Sequence, residues 1–361
     1  MASKRCNNYL SEEMVFLILS YLPVILLLRC KSVCKTWLSI INSPQFVEAH
    51  LSNSKKKQAS VLKASYDWRV LSSMDTVEDS VELKLPSCLE GKVGYMRSCN
   101  GLVCLSNEGC DSICIWNPCT RQYKMLFVPN YAFGVWHCLG FGFDSIGNDY
   151  KILWIVTKVV RELRGFIVSM NLKPEAQLYS AKVDTWKKIC IPDTIRISFW
   201  NRLKRSCGPD ISGKLYLEGE GGLLPFDLRN DVFGELVVLP FLDYVEQKRI
   251  KKSKILDFEG SLAMVYESAG NESVLSLWML DDAGLWIKKF NLEMDLELDR
   301  MYLYLGPQHF FGLNFIFGYK FYNYKKKTIK KLSFPAHLTD VKSVAKFTES
   351  LVSLEGFESQ A

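Results

Sequence analysis

The chain has 361 residues, enough to bury a core of ordinary size in one large domain or in two or three smaller ones. Hydrophobic residues at 48% and charged residues at 23% are the proportions of a soluble globular protein, and 22 glycines with 12 prolines exclude a collagenous or disordered chain. The net charge of +6 is gathered in short runs, "KKK" at 55–57, "KRIKKSK" at 248–254 and "KKKTIKK" at 325–331, which read as solvated turns rather than a nucleic-acid surface, and twelve cysteines fall far below disulfide-scaffold density.

Residues 1–9 are expected to be a flexible N-terminus. The apolar run that follows, Val15 to Leu28, is interrupted by Ser20, Tyr21 and Pro23. A spanning helix needs roughly twenty apolar residues, so a membrane segment is not expected. Lys4 and Arg5 suit the start of a secretory signal, but Glu12 and Glu13 abut the apolar run and no small-x-small site follows it. The cysteines are therefore expected to be reduced, in the cytoplasm and/or nucleus.

As a helix, the segment has Ser11 to cap it, Glu12 and Glu13 in the first turn, and Pro23 to end it. Its apolar residues form two stripes at helical spacing, Leu10, Met14, Leu17, Tyr21 and Val15, Ile18, Leu19, Leu22. Three more short helical patterns follow, at about 24–32, at 34–41 with Trp37, Leu38 and Ile41 on one face, and from Pro44 onward. Four helices in so few residues carry more apolar surface than they can hide among themselves. The surplus suits either a protein-binding module or packing against the rest of the chain.

"LSEEMVFLILSYLPVILLLRCKSVCKTWLSIINSPQFVEAHL", residues 10–51, resembles the F-box of plant F-box proteins: two acids, an isoleucine-leucine pair, leucine-proline-valine, leucine-leucine-arginine and valine-cysteine-lysine-x-tryptophan. The resemblance implies docking on a Skp-family adaptor and, through it, a cullin and a RING subunit. The implied adaptor contacts are Leu10, Val15, Ile18, Leu19, Leu22, Pro23, Leu28, Val33, Cys34 and Trp37, with Ile18 and Leu22 expected to be buried between molecules. Ser11 replaces the family's proline, and Ile25 and Leu26 replace its lysine-serine, making the segment stickier.

After a basic linker at 52–58, residues 59–361 change to short β-branched and aromatic runs broken by Gly, Asn, Asp and Pro, an all-β texture. A hairpin pattern recurs as "IWNPCTRQYKML" (115–126), "LYSAKVDTWKKI" (178–189), "PFDLRNDVFGEL" (225–236), "LWMLDDAGLWIKKF" (277–290) and "FYNYKKKTIKKL" (321–332). Its second-place aromatics, Trp116, Tyr179, Phe226, Trp278 and Tyr322, stand 44 to 63 residues apart, close to the length of a four-stranded propeller blade. "VLSSMDTVEDSVELKLP" (70–86) makes a sixth candidate without the aromatic, and a β-sandwich with coincidental hairpins is the alternative. Closure of a propeller would require the strand within 343–354 to pair with an early blade.

Neither metal nor phosphate chemistry is indicated on this half. Cys99, Cys104, Cys110, Cys114 and Cys119 contain no C-x-x-C pair and the four histidines are scattered, so no metal and no cofactor is expected. "GFG" at 140–142 is no phosphate loop, because no helix pattern follows and no Gly-Lys-Ser/Thr closes it. The motifs "SCNGLVCL" (98–105), "IWNPCTRQYKML", "LGFGFDSIGNDYKIL" (139–153) and "FTESLVSL" (347–354) resemble the plant F-box-associated domain, a kelch-like propeller. That family includes the S-locus F-box proteins of pollen and regulators of immune-receptor turnover.

The expected fold class is thus α+β multidomain, a small helical F-box followed by an all-β, six-bladed kelch-like propeller. The expected function is that of a non-catalytic substrate receptor in a ubiquitin ligase, with a non-degradative Skp-bound scaffold as the alternative and a hydrolase or oxidase as a remote one. An unknown protein target is expected on two basic-aromatic segments, 196–207 with Phe199, Trp200, Arg202, Lys204 and Arg205, and 243–254 with Tyr244, Lys248, Arg249 and Lys251, with two solvated basic loops as the alternative. Neither nucleic acid nor membrane is an expected partner.

Overall fold

A computed structural model of the chain describes residues 10–56, 59–64, 68–71, 81–89, 93–107, 112–129, 136–164, 167–196, 199–200, 207–239, 250–268, 274–292, 300–306, 309–314, 318–323, 325–332 and 341–359. The expected N-terminal tail, 1–9, lies outside them. Four helices come first: α1 (Glu12–Ser20), α2 (Val24–Cys30), α3 (Lys35–Asn42) and α4 (Pro44–Ser54). Each start has a local cause. Ser11 Oγ accepts the Met14 N–H at 3.3 Å, Cys34 Sγ accepts that of Trp37 at 3.4 Å, and Ser43 Oγ accepts that of Phe46 at 3.3 Å. Pro23 separates α1 from α2, and Pro44 opens α4. Helix α4 runs through Ser52 to Ser54, into the segment expected as linker.

The helices enclose Leu19, Val24, Leu27, Ile41 and Phe46. Phe16 meets Phe46 edge-on at 5.2 Å between ring centroids, a His50 ring nitrogen lies 3.0 Å from the Leu22 carbonyl, and Asn53 donates to the Ser20 hydroxyl at 3.1 Å. These contacts tie the ends of α1 and α4 together.

The remaining described strands fall into six sheets taken in chain order. The first holds β1 (Ala59–Ala64), β2 (Trp68–Leu71) and β3 (Val81–Leu83), plus the late strand β24 (Val341–Phe347). The second holds β4 (Val93–Cys99), β5 (Leu102–Asn107), β6 (Ser112–Asn117) and β7 (Gln122–Phe127), with β25 (Glu358–Ser359) on its edge. In the third are β8 (Trp136–Asp144), β9 (Asp149–Arg164), β10 (Ile167–Ser180) and β11 (Thr185–Ile189). The fourth has β12 (Lys214–Gly219) and β13 (Gly222–Asp227), with the short β14 (Val232–Phe233) and β15 (Val237–Val238) both paired to β13. The fifth has β16 (Ile250–Phe258), β17 (Ser261–Ser268), β18 (Val274–Leu280) and β19 (Trp286–Leu292), and the sixth β20 (Arg300–Gly306), β21 (His309–Asn314), β22 (Gly318–Asn323) and β23 (Thr328–Leu332).

One strand of each sheet stands next to its neighbours: β24 beside β4, β4 beside β8, β8 beside β12, β16 beside β20, and β20 beside β24. Between β12 and β16 the junction is filled by Ile211, Tyr216, Ile255, Leu262 and Met264. This is a six-bladed propeller rather than a two-layer sandwich. All six hairpins read from the sequence fall at the third and fourth strands of a blade, and the recurrent aromatics sit on the third, where Trp116, Tyr179 and Phe226 are almost fully buried.

The blade that departs most is the fourth, whose inner position is taken by residues 207–211. The Cys207 N–H reaches the Leu139 carbonyl of the third blade at 3.0 Å, and the Gly208 N–H reaches Tyr216 of its own at 2.8 Å. At the seam between first and last blades, β24 pairs antiparallel with β1, from Phe347 opposite Ala59 to Val341 opposite Ala64. The two halves of the first sheet thus come from opposite ends of the propeller sequence, as closure requires.

Candidate interaction surfaces

The first surface lies on the helical module. Along α1, Met14, Leu17, Ile18 and Tyr21 repeat at helical spacing and all are about half exposed, from 48% to 56%. Leu10 continues the line before the helix, and Ile25 and Leu26 of α2, with Val33 and Leu38 further on, are exposed too. Contiguous apolar exposure of this kind marks an interaction site in a soluble protein.

This face differs from the stripe expected to be shared between molecules. Ile18 does point outward, as do Leu10, Val33 and Cys34. Leu19, by contrast, is only 2% exposed and belongs to the module's own core, with Val15, Leu22, Leu28 and Trp37 half-buried against it. Pro23 is half-buried. The reason is that α4 crosses α1 on the Phe16–Ser20 side, so the core claims that side and leaves the Met14–Tyr21 line open. Met14, Leu17 and Tyr21, assigned by sequence to the other stripe, are exposed beside Ile18 instead.

The propeller has two sides. Turns joining first to second and third to fourth strands share one side, and the helical module sits there: Cys119, in the β6–β7 turn, packs against its core, as does Leu351 beyond β24. The opposite side carries the connections between second and third strands and from one blade to the next. There β9 and β10 run on past the last β8 pair, Trp136 opposite Thr157, as a two-stranded arm ending at Arg164 opposite Ile167.

The basic-aromatic segments require a correction. Phe199 and Trp200 are buried, 2% and 4% exposed, and stack edge-on at 5.2 Å in the cluster between third and fourth blades with Ile155, Ala176, Leu215 and Leu217. Gly219 makes room for them: a Cβ there would lie 2.5 Å from the Phe199 ring. They are core residues because the Phe199 carbonyl accepts the Glu220 N–H at 3.3 Å, which holds the pair against the apolar cluster joining the two blades. Lys251 lies in strand β16, at the bulge between Ile250 and Lys252, rather than in an inter-strand segment. Arg202, Lys204, Arg205, Tyr244, Lys248 and Arg249 lie outside the described residues.

Polar side chains near the inner strands are arranged for structure. Arg97 donates twice to the Cys207 carbonyl, at 2.9 and 3.3 Å, and lies over the Tyr95 ring. Asp210 accepts the N–H of Phe143 at 2.8 Å and of Gly213 at 2.9 Å, and Cys99 Sγ lies 3.7 Å from it. Burial raises the Asp210 carboxyl despite those N–H donors, and burial with Asp210 close by pushes the Cys99 thiol well up. Burial also moves Cys119 up to about 12, against the partial relief of a hydrogen bond with Ser350. Thiols held this way are poor nucleophiles and poor metal ligands. Among the described residues, no group of three His, Cys, Asp or Glu could hold a metal ion, and no helix is long and apolar enough to cross a membrane.

Where the β8–β9 turn of the third blade meets the β13–β14 turn of the fourth, Lys151 reaches Asp144 at 3.2 Å, Asp231 at 2.8 Å and the Leu228 carbonyl at 2.5 Å. Burial alone would lower its pKa, but the two carboxylates outweigh that and raise it. Asp144 is likewise disfavoured by burial, yet the Gly147 N–H and Lys151 hold its carboxyl below the usual range. Sequence reasoning missed this cluster, whose residues come from two distant parts of the chain. It also missed Asn117 and Leu351, discussed below.

Comparison with known proteins agrees with both halves. Residues 8–48 match the family described as F-box domain, and residues 52–305 match the F-box associated beta propeller domain. The F-box/WD-40 repeat-containing protein 1 of Arabidopsis thaliana is 26% identical over 330 residues, spanning 87% of this chain and 76% of that one. A second F-box protein of that plant is 27% identical over 328 residues, spanning 82% and 81%. Among solved structures, an oligogalacturonate lyase in complex with manganese aligns at a TM-score of 0.42 with 10% identity over 74% of this chain and 70% of its own, too remote to carry an argument.

Proposed function

The chain belongs to the family that joins an F-box to an F-box associated beta propeller, and from that premise we propose that it is the substrate receptor of a Skp–cullin–F-box ubiquitin ligase. The observation that carries the proposal is the open apolar line Met14, Leu17, Ile18 and Tyr21, flanked by Leu10, Ile25 and Leu26. A partner protein docked there would remove that surface from water. The adaptor takes it, and the cullin and RING subunit follow through the adaptor. A protein target is held on the propeller side turned away from the F-box, where the β9–β10 arm and the blade-to-blade connections lie.

In this role the chain supplies no chemistry of its own. It holds a target near a ubiquitin-loaded enzyme, so that transfer becomes effectively intramolecular and gains from a high local concentration.

The test begins by trapping targets on a chain lacking residues 10–51 and identifying them by proximity labelling. Their half-lives are then compared in cells carrying the full chain and the truncated one. Faster loss with the full chain is the expected result. Equal half-lives for every trapped target would refute degradation and leave a Skp-bound scaffold.

A further inference from the structure

The segment after β24 belongs to both halves of the molecule. Leu351 is 7% exposed and completes the F-box core beside Leu19, Val24 and Phe46. On either side of it the chain is held by the propeller. Asn117, fully buried at the end of β6, donates to the carbonyls of Ser350 at 3.0 Å and Val352 at 2.8 Å, while its own carbonyl accepts the N–H groups of Cys119 and Thr120. Val352, Leu354 and Phe357 then pack between second and third blades, Lys124 donates to the Glu355 carbonyl at 2.9 Å, and β25 adds to the edge of β7.

We infer that residues 348–359 form a clamp that fixes the F-box against the propeller. The covalent connection alone would not do so. Helix α4 ends at Ser54 and β1 starts at Ala59, and a free tether of that length would let the F-box wander by about 10–12 Å. The clamp replaces this freedom with a buried contact anchored on both sides. Gly101 shows how closely the segment is seated: a Cβ there would lie 2.2 Å from Ser350 Cβ and 2.6 Å from the Thr348 carbonyl. Given the ligase reading above, on which this consequence rests, the clamp sets one direction from the adaptor to the bound target.

The test needs neither adaptor nor target, so its failure is separate from a failure of the ligase reading. Nitroxide labels coupled through a non-natural ketone residue at Glu48 and Val183, both exposed, report the F-box-to-propeller distance in the full chain. The unaltered protein is expected to give one narrow distribution. Leu351→Ser and Asn117→Ala should each at least double its width, with the helical circular dichroism signal retained. Should Leu351→Ser unfold the F-box, Asn117→Ala, which lies outside it, decides alone. A distribution already broad in the unaltered protein, or still narrow in Asn117→Ala, overturns the clamp.

Discussion

Three neighbouring aliphatic residues on α1 have opposite surroundings: Leu17 is 51% exposed, Ile18 49% and Leu19 2%. Truncating Leu19 to alanine leaves a cavity among Val24, Leu27, Ile41 and Phe46, and the expected cost is about 2–5 kcal/mol of F-box stability. Full burial of such a side chain is worth about 1.5–3 kcal/mol, so the half already covered at Leu17 or Ile18 amounts to about 1 kcal/mol each. Alanine's higher helix propensity offsets a few tenths of that loss. The exposed half is what an adaptor gains by covering it. The double variant L17A/I18A should therefore stay folded while losing about 2 kcal/mol of adaptor binding, roughly 30-fold in Kd. Leu22, half-buried on the core side, should behave like Leu19 in direction. Urea unfolding reads the first quantity and titration calorimetry with a Skp-family adaptor the second. The reasoning fails if L19A is as stable as the unaltered chain, or if folded L17A/I18A binds with undiminished affinity.

Lys151→Met should cost about 3–5 kcal/mol, chiefly by leaving the buried Asp144 without its cation while Asp231 keeps Lys187 at 2.6 Å, a loss read by denaturant unfolding at pH 7. The pH profile follows from the signs. Stability from the lowered Asp144 is complete above the ordinary aspartate value and lost as pH falls through its folded value, while that from the raised Lys151 is complete below the ordinary lysine value and lost as pH rises through its folded one. The cluster's contribution, read as the stability difference between the unaltered protein and Lys151→Met, should therefore hold level between about pH 5 and 9 and shrink on the acid side. Gly101→Ala, at φ +82° and against Ser350, should lower the thermal midpoint well beyond Gly260→Ala, which shares a positive φ of +87° but has nothing within 4 Å. Deleting residues 341–361 should expose the β1 edge and give aggregates on size-exclusion chromatography, whereas a monomeric, cooperatively unfolding product would contradict the pairing of β24 with β1.

Much of the architecture was legible because it is written in local periodicity. Caps and prolines mark the four helices, and the third-to-fourth-strand hairpins repeat with a turn and an aromatic at fixed places. Which stripe of α1 faces outward was not legible, because that depends on where α4 crosses, a contact far along the chain. The fate of Phe199 and Trp200 was hidden for a similar reason: basic neighbours suggested a surface, but strands of the third and fourth blades, distant in sequence, bury both rings. Asn117 lay in plain view within "IWNPCTRQ" as a turn residue. Its role depends on carbonyls more than two hundred positions away.

The pairing of β24 with β1 also has a timetable. The first blade is begun by β1 and finished by a strand about 280 residues later, and a ribosome adding about 5–20 residues per second takes roughly 15–60 s to supply it. During that interval the nascent chain presents β1 with one side unmatched, an invitation to chaperones and to neighbouring nascent chains alike. A message cut short upstream of β24 would yield a product that never closes. Completion of the ring thus doubles as a check that translation has passed β24.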